Sequence, residues 1–93
     1  VPHTTAGVLV NEGEDPAVMD DIMMMLEKLA PWKAGYKHSE GNSGAHIRSV
    51  LVGGRTHLII DNGKPLLGTW ERVFLCEFDG PRTRKIRIKI LAG

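Results

Sequence analysis

The stretch TWERVFLCEF (69–78) packs Trp70, Val73, Phe74, Leu75, Cys76 and Phe78 into ten residues and closes on the turn Asp79-Gly80-Pro81. Aromatic and β-branched residues in a short run bounded by turn formers read as a strand. Working upstream, THLII (56–60) reads as a second strand, and Asp61-Asn62-Gly63 as the turn that folds it back in a hairpin running to Leu67. Downstream, Ile86, Ile88 and Ile90 alternate with Lys85, Arg87 and Lys89, the pattern of a strand with one wet face. Near the start, AGVLV (6–10) reads as a short buried strand that leads into the acidic loop NEGED.

Two helices interrupt the strands. Asp15 suits an N-cap and Pro16 the first helical position, and Val18, Ile22, Met25, Leu26 and Leu29 then recur at helical spacing. The helix ends by Ala30, because Pro31 pushes its predecessor out of the α region. Asp20 and Asp21 lie early, where the helix dipole favours acids. Met19, Met23, Met24 and Met25 read as adaptable filler for a core or an interface. A shorter helix is expected after Ser43 as its cap, with Ala45, Ile47, Val50 and Leu51 on one apolar stripe and Gly53-Gly54 closing it. The fold class is therefore α+β: a mostly antiparallel sheet with one longer and one short helix.

With 93 residues the chain holds one domain, 1–93, whose small core makes self-association an expectation. Twelve Lys and Arg against eleven Asp and Glu give a net charge of +1, which does not favour nucleic acid, and 5% aromatic content supplies few base contacts. The one cysteine, Cys76, excludes an internal disulfide and suits a reducing cytoplasm. No run approaches the roughly 18 apolar residues of a membrane span, so a membrane is not an expected partner.

Chemistry concentrates between Trp32 and His46: from Trp32 to Gly44 the chain turns polar and glycine-rich and no helix or strand period survives, and His46 falls in the first turn of the helix that follows. His38 and His46 sit here and His3 precedes the first strand, whereas His57 lies in an apolar run. Neutral imidazole is a common zinc ligand, and catalytic centres often use three protein groups. The spacing H-x7-H matches none of the compact ligand pairs, however, so residue order alone leaves two readings open, a metal centre or ordinary loop hydrogen bonds. Glu40 and Asn42 add an oxygen ligand or an orienting group. Arg82 in the Gly-Pro-Arg turn, with Arg84 nearby, offers a guanidinium fork for phosphate, and the alternative is a basic edge that keeps a strand soluble. Glu77 is a candidate base whose pKa burial would raise, or a partner for a cross-sheet cation. No phosphate loop, dinucleotide fingerprint or serine elbow is present.

Taken in order, PHTTAGVLVNEGEDP, HSEGNSGAHIRSVL and LGTWERVFLCEFDGPR resemble the YjbQ family, also called the secondary thiamine-phosphate synthase family. The resemblance implies a trimeric α+β protein of cytoplasmic type with a polar histidine pocket. It also implies a metal-assisted enzyme of phosphorylated small molecules, one that joins a pyrimidine diphosphate to a thiazole phosphate and releases pyrophosphate. A non-catalytic module that binds metal or a phosphate-bearing ligand is the alternative. Carried onto this chain, His3, His38 and His46 would hold a divalent ion, zinc or magnesium. His3, His46 and Glu77 would be catalytic, and Thr4, Thr5, Asn42 and Arg82 would bind substrate. Family members extend upstream of the PHTT motif, so further structure ahead of His3 is expected. They also carry a polar residue where Gly13 stands, so the loop there is expected to be loose.

Overall fold

The computed structural model describes residues 1–93. Strand β1 (Ala6–Glu12) pairs antiparallel with the strand predicted from TWERVFLCEF, seen at Glu71–Glu77, in a register running from Ala6 opposite Glu77 to Glu12 opposite Glu71. Helix α1 (Pro16–Leu29) follows β1 and begins as its sequence predicts. The Asp15 carboxylate accepts the Ala17 N–H at 3.0 Å, and Pro16 occupies the first turn, where its missing N–H costs nothing.

Helix α2 (Ser43–Val52) differs from its expected form in two respects. Its cap is Asn42 rather than Ser43, and no side chain bonds the free N–H groups there. Of the expected stripe only Ala45 is buried, and Gly44 and Ser49 complete the buried face, whereas Ile47, Val50 and Leu51 are exposed. Backbone proximity decides this. A Cβ on Gly44 would lie 2.8 Å from the Pro31 carbonyl oxygen, and one on Gly7 would lie 2.7 Å from that of Gly53. Small residues let α2 lie directly on β1, where the Ser49 hydroxyl donates to the Ala6 carbonyl at 2.7 Å and Val8 N–H donates to Gly53 at 2.9 Å.

The hairpin forms, but in miniature. β2 (Ile60–Asp61) pairs with β3 (Lys64–Pro65), and Asn62 and Gly63 both take positive φ, 50° and 75°, the geometry that favours Asn-Gly in two-residue turns. Residues 56–59 carry no ladder, which corrects the longer strand expected there. β4 is the Glu71–Glu77 strand itself. Residues 86–90 likewise belong to no sheet, and Ile86, Ile88 and Ile90 are all exposed: alternation marks a face that can be covered, and no strand lies beside it to cover it. Gly13 is not a loose point, since its N–H donates to the Trp70 carbonyl at 2.8 Å and the Arg72 stem fills the space where a side chain would stand.

The core is small. Leu26, Ala45, Cys76 and Phe78 form it, with Leu9, Met19, Ile22, Met23, Val52 and Phe74 packed against it. Of the four methionines, Met19 and Met23 line this core while Met24 and Met25 are about half exposed. Burial raises the Cys76 thiol pKa, consistent with a packing role.

Candidate functional site

A cavity of about 390 Å³ opens where the approach to β1, the loop before α2, the start of α2 and the turn after β4 meet. Its wall consists of Pro2, His3, Thr4, Thr5, His38, Glu40, Asn42, His46, Asp79, Arg82 and Arg84, without one large apolar side chain. Segments more than 70 positions apart in the chain thus converge, and seven of the eight residues predicted for the site line the cavity. Glu77 is the exception.

Two guanidinium–carboxylate pairs form one side. Arg84 binds Glu77 through both Nε and Nη2, the former at 2.6 Å, and Nη2 also reaches the Thr5 hydroxyl at 2.9 Å and the Thr5 carbonyl. The Arg84 side chain is 8% exposed, so it is not the solubilising edge residue that alternation implied. The Arg84 guanidinium holds the Glu77 carboxyl down at about 2, with the Asp79 N–H helping, and Glu77 in turn raises Arg84. The expected rise in the Glu77 pKa is therefore reversed, because charge pairing outweighs desolvation, and an ionised, doubly bonded carboxylate makes a poor proton acceptor. Arg82 pairs with Asp79: its Nη2 donates to the carboxylate at 2.9 Å and its Nε to the carbonyl at 2.8 Å, while half its side chain stays exposed. A bond from Asn42, then the Arg82 pair, depresses the Asp79 pKa. The turn itself carries a cis Gly80–Pro81 bond.

The other side keeps its polar groups free. His38 and His46 meet edge to face, ring centroids 5.4 Å apart, and His38 Nε2 stands 4.0 Å from a Glu40 carboxylate oxygen. His3 Nε2 accepts the Lys85 N–H at 2.8 Å, which leaves Nδ1 to carry its proton. The Thr5 hydroxyl, an acceptor for Arg84, retains its own hydrogen. The amino end of α2 adjoins the cavity, and its dipole favours negative charge.

These contacts do not fit a three-histidine metal centre. His3 has spent Nε2 on Lys85, and nowhere do three or more His, Cys, Asp or Glu groups stand close enough to hold one ion. All three histidines line the cavity, and of them His38 and His46 stand edge to face. Residue-level reasoning also passed over Asp79, which orients both Asn42 and Arg82. Its only signal in the sequence was its place in the Asp-Gly-Pro-Arg turn.

Comparison with known proteins places these features in a wider set. The family model described as "UPF0047 protein YjbQ-like" matches residues 1–93. UPF0047 protein MJ1081 of Methanocaldococcus jannaschii is 54% identical over 91 residues, covering 98% of this chain and 66% of its own length. UPF0047 protein YugU of Bacillus subtilis is 46% identical over 91 residues, covering 97% and 69%. A YjbQ/UPF0047-family crystal structure from Clostridium acetobutylicum superposes with a TM-score of 0.84 at 53% identity, covering 87% of this chain and 63% of that one. A conserved hypothetical protein from Thermus thermophilus gives a TM-score of 0.85 at 49% identity, covering 88% and 66%. The chain thus spans about two thirds of the length of the relatives it matches. No helix is long and apolar enough to cross a membrane.

Proposed function

The chain belongs to the UPF0047 protein YjbQ-like family, and from that premise we propose that its cavity binds a phosphorylated small molecule. The observation that carries this reading is the wall itself: His3, Thr4, Thr5, His38, His46 and the amino end of α2 supply uncommitted donors around one polar cavity. Donors fixed before the ligand arrives need no reorganisation to receive an anion. Arg82 keeps only part of its fork for the ligand, since two of its N–H groups already serve Asp79.

As an activity we propose the thiamine-phosphate synthase reaction: a pyrimidine diphosphate joins a thiazole phosphate and pyrophosphate leaves. The donors would receive the charge that builds on the departing pyrophosphate, and the reading gives His3 and His46 the role of holding a proton. A divalent ion, zinc or magnesium, would find its nearest nitrogen donors in His38 and His46, and the reading assigns it no step. Metal content after exhaustive dialysis, compared between the natural protein and His38→Ala, tests that side of it.

A second reading, a module that binds the phosphorylated ligand without turning it over, is favoured by one contact: Arg84 ties up Glu77, the leading carboxylate base. Turnover separates the two. Full-length protein is assayed for thiamine phosphate from both precursors beside a His46→Ala control, with calorimetric titration of the pyrimidine diphosphate in parallel. Product lost in His46→Ala supports the transferase, binding without product supports the module, and neither binding nor product overturns both. The reading also includes a homotrimer, supported by the open apolar residues Ile47, Val50, Leu51 and Leu29, and sedimentation of the full-length protein tests it.

A further inference from the structure

Asn42 lines the cavity and is 6% exposed, yet one of its two polar atoms has no partner. Its Nδ2 donates to Asp79 Oδ2 at 2.8 Å. That contact settles which way round the amide lies. Asp79 also receives Arg82, so it is an ionised carboxylate that can only accept, and it must face the NH2 group. The carbonyl atom Oδ1 is therefore turned away from Asp79, and it is buried with no hydrogen-bond donor. It does not cap α2 either, since no side chain bonds that helix start. A buried acceptor without a donor is rare in folded proteins and asks for an occupant that brings a hydrogen.

Resting on the reading of the cavity as a phosphate site, we propose that Asn42 Oδ1 makes the cavity selective for an anion that carries its own proton, a phosphate or phosphomonoester, over an otherwise similar anion that carries none. Phosphate esters hold a second titratable proton with a pKa near 6, so an O–H is available to them around neutrality. Sulfate and sulfate esters keep no such hydrogen, and their oxygens would meet Oδ1 and the Asp79 carboxylate acceptor to acceptor. Histidine, threonine and helix donors attract either anion. Asn42, held by Asp79, is the element that tells them apart, because a buried group left without its partner penalises the wrong ligand.

Methyl phosphate and methyl sulfate are the probes, titrated separately into full-length protein at pH 6.5 and matched ionic strength and followed by calorimetry. The proposal expects methyl phosphate to bind at least about tenfold more tightly. It further expects Asn42→Ala to narrow that ratio severalfold while both anions still bind. Asp79→Asn provides an independent route, because a neutral amide opposite Asn42 accepts either orientation of it, and the ratio should narrow there too. Equal affinities in the natural protein, or a ratio unmoved by both variants, overturn the selectivity role and leave the phosphate reading standing. Failure of both probes to bind overturns the two together.

Discussion

The two sides of the cavity hold residues that look alike in a sequence and behave differently in the fold. On one side Arg82 and Arg84 are matched one to one by Asp79 and Glu77, so their charges and the N–H groups of Nε and Nη2 are engaged within the protein. On the other side His38, His46 and the Nδ1 atom of His3 remain uncommitted beside the amino end of α2. The arginines look like the anion receptors and the histidines like the metal ligands. The contacts instead make the arginine side a brace for the turn after β4 and leave the polar groups of the histidine side free, as the proposed binding of an anion there requires.

That division predicts that substitutions on the two sides separate stability from binding. The largest loss of stability is expected for Arg84→Ala, which strands the partly buried Glu77 carboxylate and removes a donor from Thr5. Breaking one partner of such a pair costs about 2 kcal/mol here, below the range for fully buried pairs because Glu77 is 31% exposed. Thermal melting should show the midpoint fall by roughly 10 °C for a domain of this size; an unchanged midpoint would remove the brace from the account.

Next comes Gly44→Ala, which sets a methyl 2.8 Å from the Pro31 carbonyl and tests whether α2, and with it His46, depends on close backbone contact. Overpacking against the carbonyl of an exposed loop is expected at the low end for such changes, about 1–2 kcal/mol, to be read from urea unfolding. Ser49→Ala, losing a buried hydroxyl bond to Ala6, should cost about 1 kcal/mol in the same assay.

Acid sharpens the contrast further. The Glu77 pKa lies at about 2 in the folded protein against an ordinary 4.5, so its contribution is fully present above the ordinary value and is lost as pH falls towards 2. Stability measured between pH 5 and pH 2 should decline more steeply in the natural protein than in Glu77→Gln. Equal slopes would show that the pair holds no proton-linked stability.

What the residues disclosed in advance divides along the same physical line. Asp15, Pro16 and the apolar period of α1 act within one or two turns of chain, and the helix starts where they place it. Asn62-Gly63 acts within two residues, and its turn forms as well. Strand β4 was visible in its own composition, but whether Ile86, Ile88 and Ile90 join a sheet depends on a neighbour that alternation cannot supply. In α2 Ile47, Val50 and Leu51 stand outside because the face that packs is set by close approach, of Gly44 to the Pro31–Trp32 backbone and of Ser49 to Ala6 of β1. The site was legible as a set of residues, since seven of the eight predicted residues converge. Their roles were not, because the partners that assign them, Glu77 for Arg84 and Asp79 for Asn42, lie 7 and 37 positions away.

The smallest stability change is expected from His38→Ala and His46→Ala, within about 0.5 kcal/mol of the natural protein, because the two rings accept no hydrogen bond and form no buried ion pair. Their effect belongs to the ligand, and it tests the central claim most directly. Imidazole ring proton signals in nuclear magnetic resonance spectra, followed while methyl phosphate is titrated into full-length protein, report which side receives the anion. The account predicts saturable shifts at His38 and His46, and affinity reduced about tenfold or more in either alanine variant at unchanged melting temperature. Rings that stay silent while binding persists, and both alanine variants binding as tightly as the natural protein, would contradict it.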